Sequence, residues 1–287
     1  MGSMGQLGQC LREQFNKTNY DVIYKSRKEL DLCNTNLIRK IILADKIKLI
    51  INTAAYTEVD QAEENYDTAM TVNGILVENL AKICKEFNIL LVHISTDYVF
   101  NGEGNTPFME HQKTNPICVY GESKLKGERA IKQSDCRYVI IRTSWVFSEF
   151  KENFLKTMLR LAQKNDSIKI VSDQIGCPTY AQDIAKAIIS VISFFKNNKI
   201  KYGIYHYTGD DPCSWYQFAE YIFFEAQKLG FKIPKTIIPI KSNEYKTLAK
   251  RPKYSVLNCS KIKKEFKISQ SNWKIGVQKA LLKISDD

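Results

Sequence analysis

Along the first half of the chain apolar residues keep two different rhythms. Short runs at residues 20–24, 48–51, 89–94 and 138–141 are rich in β-branched and aromatic side chains, and their length predicts strands. Between them, over about residues 6–17, 35–45, 66–87 and 120–133, apolar positions recur three or four apart, the spacing of one helix face. Strand and helix in alternation predict an α/β fold, a doubly wound parallel sheet covered by helices on both faces.

Beyond about residue 170 the rhythm loosens into loops carrying Pro178, Pro212, Pro234 and Pro252, with helical stretches near 181–196 and 214–229. The pattern divides the chain into a first domain, 1–170, and a smaller C-terminal lobe, 171–287, with some lobe segments returning to the first domain. In open α/β sheets ligands bind beyond the carboxyl ends of the strands, where such a lobe can cover them.

The chain opens MGSMGQLG, with Gly2, Gly5 and Gly8 ahead of a helix. A glycine loop of this kind follows a β-strand, and here no strand stands before it. In a sheet of order 3-2-1-4-5-6 that strand would be central, expected between residues 20–24 and 89–94. The reading therefore expects the coding frame upstream of Met1 to encode a short apolar strand.

Composition narrows the class. The 287 residues are 44% hydrophobic, enough for a sizeable core. No run of about 18 apolar residues and no signal-peptide pattern occurs, so no membrane partner and a cytoplasmic location are expected. Eight scattered cysteines and three histidines (His93, His111, His206) show no ligand spacing, so neither a metal site nor a disulfide framework is expected. The net charge of +11 is spread along the chain rather than gathered into a stripe, which favours attraction of an acidic small substrate over nucleic-acid binding.

The segment VYGESKLKGERAI places Tyr120 and Lys124 one turn apart on one helix face. A phenol is a poor acid or base at neutral pH unless a cation stabilises its anion, and Lys124 is placed to do so. The run ILLVHIS leads straight into Thr96, Asp97 and Tyr98, setting a hydroxyl just past the end of a central strand. Thr96, Tyr120 and Lys124 thus form a constellation suited to protonating a carbonyl oxygen while hydride reaches its carbon.

In order along the chain, GSMGQLG, SRKELDL, NTAAYTEVDQAE, STDYVFNGEGNTPFME, VYGESKLKGE, IRTSWVFSE, NFLKTML, SDQIGCPTYAQDIA, GIYHYTGDDPCSW and RPKYSVLN resemble the dTDP-4-dehydrorhamnose reductase family. These are extended short-chain dehydrogenases/reductases with a Rossmann-like fold, which reduce the 4-keto group of a nucleotide-linked 6-deoxysugar. The resemblance implies that Tyr120 is the general acid, that Lys124 lowers the Tyr120 pKa and holds the nicotinamide ribose, and that Thr96 orients the carbonyl. The expected pathway is L-rhamnose biosynthesis.

For the cofactor, Gly2, Gly5, Gln6, Leu7 and Gly8 would bring backbone N–H groups to a pyrophosphate at a helix start. Residues 20–24 are followed by Lys25, Ser26 and Arg27 instead of an acidic residue, which welcomes a 2′-phosphate and favours NADPH over NADH. Asp31 and Leu32 resemble the family's adenine-side contacts, and Ala54, Ala55 and Thr57 its wall beside the cofactor. Asp97 and Tyr98, from STDYVF, join the substrate-side set. Trp145 resembles an aromatic wall near the sugar and Arg251 a cation on the diphosphate side; Asn153 and Gln174 are further substrate-side candidates. Trp215 is expected in the core. Some family members place a metal-holding carboxylate after the third glycine; here Gln9 and Cys10 stand there, so metal-bridged dimerisation is not expected, while a homodimer stays open. Two other readings compete: a non-catalytic regulatory subunit like that of methionine adenosyltransferase, and an epimerase/reductase acting on a UDP-sugar, the choice between dTDP and UDP being open.

Overall fold

The computed structural model describes residues 1–197 and 201–286. Four parallel strands form its central sheet: β1 (Leu49–Asn52), β2 (Leu90–Thr96), β3 (Arg137–Thr143) and an edge strand, Gly203–His206, hydrogen-bonded in that order. Leu49 stands opposite Leu90, Leu90 opposite Arg137 and Val139 opposite Gly203. Side chains alternate across the sheet. Leu90, Val92, Val139 and Ile141 share one buried cluster with α1 (Gln6–Phe15) and the Ala181–Lys196 helix. Leu91 and Ile140 point the other way, into a cluster with α2 (Thr35–Ala44) and the Leu76–Glu86 helix. Both faces are therefore covered, as the apolar runs required.

The second half builds another apolar cluster around Phe218 and Trp273, from the helices Phe154–Lys164, Trp215–Lys228 and Trp273–Ser285. Beside it Ser167–Val171 and Thr236–Ile240 pair in parallel.

Three expectations are corrected. The helix expected over 66–87 is three pieces, Tyr66–Met70, a π-helical turn Thr71–Ile75 and Leu76–Glu86. Asn73, inside that turn, spends its side chain on the loop at Tyr56, and such π-bulges are common beside functional sites. Residues 20–24 form no strand, although Tyr20, Val22 and Tyr24 still pack on the first core cluster. β2 lies between β1 and β3, so the sheet edge facing residues 20–24 belongs to β1 and not to residues 89–94. A right-handed crossover from β1 through the Leu76–Glu86 helix sets β1 directly beside β2.

Between that edge of β1 and residues 20–25 runs a cavity of about 550 Å³, lined by Leu11, Phe15, Val22, Ile38, Ile42 and Ile50 among others. Met1 sits at one end. Its amino group donates to Ile51 O at 2.8 Å and its carbonyl accepts from Thr53 N at 3.2 Å, the alternation of a parallel ladder. Burial pushes this amino group down to about 6.

Candidate active site

β2 ends in Thr96, whose hydroxyl donates to Asp97 Oδ1 at 2.9 Å and accepts from Tyr98 N at 3.2 Å. The helix Val119–Gln133 starts against this turn. A Cβ on Gly121 would lie 2.2 Å from Tyr98 O, so only glycine lets the helix approach so closely. Cys118 Sγ caps it by accepting from Gly121 N at 3.5 Å. The approach brings Tyr120 beside the Thr96 side chain and sets the Tyr98 ring edge-on at 5.6 Å.

Burial pushes the Tyr120 phenol upward, with the neighbouring Thr96 side chain pulling the other way, so Tyr120 carries its proton at neutral pH. Lys124 is 2% exposed and donates to Ile94 O at 2.7 Å. Burial holds its ammonium down to about 8, and the Glu128 carboxylate pulls the other way. Sequence reasoning gave Lys124 the task of lowering the Tyr120 pKa. Here burial dominates the phenol and the ammonium is anchored on Ile94, so the expected lowering is not seen. Burial also raises Asp97 to about 6, opposed by hydrogen bonds from Ser255 and Thr96.

A buried polar network that sequence reasoning did not single out lies beneath this group. Glu128 takes a fork of hydrogen bonds from Arg142, Nε at 2.8 Å and a second nitrogen at 2.6 Å, and a third from Ser95 at 2.6 Å. Both members of the pair are 2% exposed. Asn73 joins the neighbouring turn to the helix by donating to Ser123 Oγ at 3.0 Å. Asn52 Nδ2 approaches His93 Nδ1 at 3.2 Å, and His93 Nε2 lies 3.5 Å from Lys124 Nζ. The available signal was polar residues inside apolar strands: His93 and Ser95 in β2, Arg142 in β3.

The glycine loop is built as its spacing implied. Gly2 has φ +79°, a conformation that favours glycine, and a Cβ there would meet Ala54 N at 2.6 Å. A Cβ on Gly8 would lie 2.2 Å from Gly2 O. Gly5 N donates to Gly2 O at 3.1 Å, and Ser3 N to Lys25 O at 3.2 Å, which ties the loop to Lys25, Ser26 and Arg27. α1 has no acidic side chain in its first turn. Ser3 Oγ is buried with no hydrogen-bond partner among the described residues. An orphaned hydroxyl and a helix start aimed out of a glycine loop fit a phosphate group.

Other cofactor candidates divide. Arg27 is exposed and Ser26 half-buried beside the loop. Asp31 spends Oδ1 on Cys33 N at 2.9 Å, and Leu32 packs on the cluster beneath α2. Leu7 is buried in the core. Ala54 follows β1, its N–H donating to Asn52 Oδ1 at 3.1 Å; half-buried Ala55 and exposed Thr57 continue that loop.

On the lobe side opens a cavity of about 1870 Å³ lined by Thr57, Gln174, Trp215 and Arg251, with Lys169, Lys241, Lys246, Lys250 and Lys253. Trp215, expected in the core, is half-buried and lines this space, stacked on Trp145 at 3.4 Å and donating to Gln174 Oε1. An indole with one face in the lobe and its N–H on a cavity amide is amphipathic, which its aromatic neighbours in the sequence concealed. Arg251 pairs with Asp60 at 2.7 Å. Asn153 caps the Phe154–Lys164 helix and donates to Gln6 Oε1 at 3.0 Å, so its amide joins the glycine-loop helix to the lobe. No cluster of three or more His, Cys, Asp or Glu side chains able to hold a metal occurs among the described residues, and none of their helices is long and apolar enough to cross a membrane.

Comparison with known proteins finds the same fold elsewhere. The family model described as "RmlD substrate binding domain" matches residues 1–285. A dTDP-4-dehydrorhamnose reductase of Aggregatibacter actinomycetemcomitans is 43% identical over 276 residues, 95% of this chain and 94% of that protein. The crystal structure of the Bacillus anthracis dTDP-4-dehydrorhamnose reductase in complex with NADP superposes with a TM-score of 0.90 at 35% identity, over 98% of this chain and 97% of that one. The Clostridium acetobutylicum enzyme gives a TM-score of 0.90 at 36% identity, over 99% and 97%.

Proposed function

The chain belongs to the RmlD substrate-binding-domain family, that of the dTDP-4-dehydrorhamnose reductases, and from this premise we propose that it reduces the C4 carbonyl of a dTDP-linked 4-keto-6-deoxysugar to the alcohol, the reaction that yields dTDP-L-rhamnose. The protein is an NAD(P)H-dependent oxidoreductase with a Rossmann-like fold, and its cofactor is NADPH. The observation that carries the reading is the placement of the Tyr120 side chain against Thr96 at the end of β2, with buried Lys124 one turn along the same helix.

When bound, NADPH supplies the hydride that the carbonyl carbon receives. Tyr120, protonated at neutral pH, gives its proton to the carbonyl oxygen, and the Thr96 hydroxyl holds that oxygen in line. Lys124 holds the nicotinamide ribose. Gly2, Gly5 and Gly8, the start of α1 and Ser3 Oγ take the pyrophosphate, while Arg27 takes the 2′-phosphate. Arg251 and the lysines of the large cavity draw in the sugar nucleotide's diphosphate, and Trp145 with Trp215 forms the aromatic wall.

The test is NADPH oxidation by the purified chain with matched dTDP- and UDP-4-keto-6-deoxysugars. Turnover with the dTDP substrate is expected. Turnover with the UDP sugar alone overturns the substrate assignment, and none with either favours a regulatory role.

A further inference from the structure

A directed chain of hydrogen bonds starts on the wall beside the glycine loop and ends at Lys124. Ala54 N–H donates to Asn52 Oδ1 at 3.1 Å, which settles which end of the Asn52 amide is the oxygen. The amide nitrogen therefore faces His93 Nδ1 at 3.2 Å. An amide NH2 only donates, so Nδ1 must be the acceptor, and a neutral imidazole then carries its proton on Nε2. His93 is fully buried, and burial together with the Lys124 charge holds it well below the usual histidine range, so it is neutral. Its Nε2–H consequently points at Lys124 Nζ, 3.5 Å away.

We propose that His93 is a positioning residue for Lys124, its tautomer locked by Asn52 so that an N–H bond, and not a lone pair, faces the lysine nitrogen. The inference rests on the reading that Lys124 works beside Tyr120. An N–H aimed at Nζ opposes the ammonium and favours the amine, while the Ile94 carbonyl keeps the nitrogen in place whichever form it takes. Burial already brings Lys124 down to about 8, against about 10.4 for an ordinary lysine, and the N–H acts in the same direction.

The surroundings leave this role to His93. From its own helix Lys124 feels Glu128, which raises it, but Glu128 is forked to Arg142 from β3. Glu63 is turned to Val119 N. Asp97 and Tyr98, in the turn after β2, are coupled to Tyr120 and to each other, and Thr96 stands beside Tyr120. His93 is the titratable side chain from β2 that meets the lysine nitrogen, beside the Ile94 carbonyl that holds it.

Two measurements test this. In ¹⁵N-histidine spectra, assigned with His93→Gln, the His93 signals are expected to be those of the Nε2–H tautomer and not to titrate across the folded pH range. A Nδ1–H tautomer overturns the proposal whatever the substrate is. In Asn52→Asp a carboxylate accepts from Nδ1, the proton moves there, and a lone pair turns to Lys124. The alkaline limb of the kcat/KM profile for NADPH-dependent reduction, expected near the Lys124 value of about 8, should then move up by about one unit or more. His93→Leu, which removes the N–H without adding charge, should move it the same way by about half a unit. A limb that stays put in both variants overturns the proposal. Absence of reductase activity in the parent chain would sink the functional reading and leave the tautomer result standing.

Discussion

An apolar strand joined to Met1 should stabilise this protein by several kilocalories. Five residues of the Val-Ile-Leu-Ile-Thr kind would span about 16 Å and run between β1 and residues 20–25, through the cavity of about 550 Å³. Ladder hydrogen bonds are worth ~1 kcal/mol each net, and about five can form with the two flanking segments. Three side chains buried against Ile38, Ile42 and Ile50 contribute ~2 kcal/mol apiece. Ordering the added backbone costs ~1.5 kcal/mol per residue. The balance is a gain of ~3 kcal/mol, which for a chain of this size raises the melting temperature by about 6 °C or more.

A second signature accompanies the shift. The Met1 ammonium falls from 8.0 to about 6 on folding, so between those values the unfolded chain binds more protons and stability rises with pH. Moving the amino group out of the slot should abolish that rise. Thermal melts across pH 5.5–8.5 of the parent, the apolar extension and a Ser-Gly extension of equal length make the comparison. Equal melting of the two extended chains, or a pH slope that survives in the apolar one, would refute the reasoning.

Three further outcomes are expected. Tyr120→Phe should lower the reduction rate by 10²–10⁴-fold, the usual worth of a general acid, while NADPH binding measured by fluorescence stays nearly intact; a loss under about tenfold contradicts the assignment. Arg27→Ala should weaken NADPH far more than NADH in paired titrations, and equal losses would mean that Arg27 does not read the 2′-phosphate. Asp97 rises from 3.8 to about 6 on folding, so the folded state binds the extra proton and stability falls as pH climbs through that window. Asp97→Asn should therefore gain in melting temperature over the parent as pH passes from 4 to 6, and a difference that stays flat removes the argument.

The sheet strands with apolar side chains on both faces were legible because a covered parallel strand reads as a short continuous apolar run. Residues 20–24 carry the same signal, yet a strand also needs a hydrogen-bonding neighbour, and sequence pattern reports side chains and not partners. The edge strand Gly203–His206 shows the converse: only four residues long, it exists because β3 offers it a ladder. At the site, Tyr120, Lys124 and Thr96 could be read from spacing and motif. Their support could not. A histidine or arginine inside an apolar strand announces that some polar partner is buried nearby, but Asn52 reaches His93 across 41 positions, and Glu128 is matched to Arg142 through folding of the helix onto the sheet. Trp215 failed for a related reason, since hydrophobicity does not tell a core indole from one lining a wet cavity.

The Glu128–Arg142 fork also constrains how this sequence can change over time. Losing either partner alone strands a buried charge at a cost of ~3–5 kcal/mol, a large share of the 5–15 kcal/mol that typically holds a domain folded. Replacing both at once by apolar residues of similar volume is often neutral or stabilising. The two end states are thus comparable in stability while each one-step intermediate has lost a large share of it. A lineage that has acquired the pair is held to it by the depth of the valley between, and would keep it even where an apolar core served equally well.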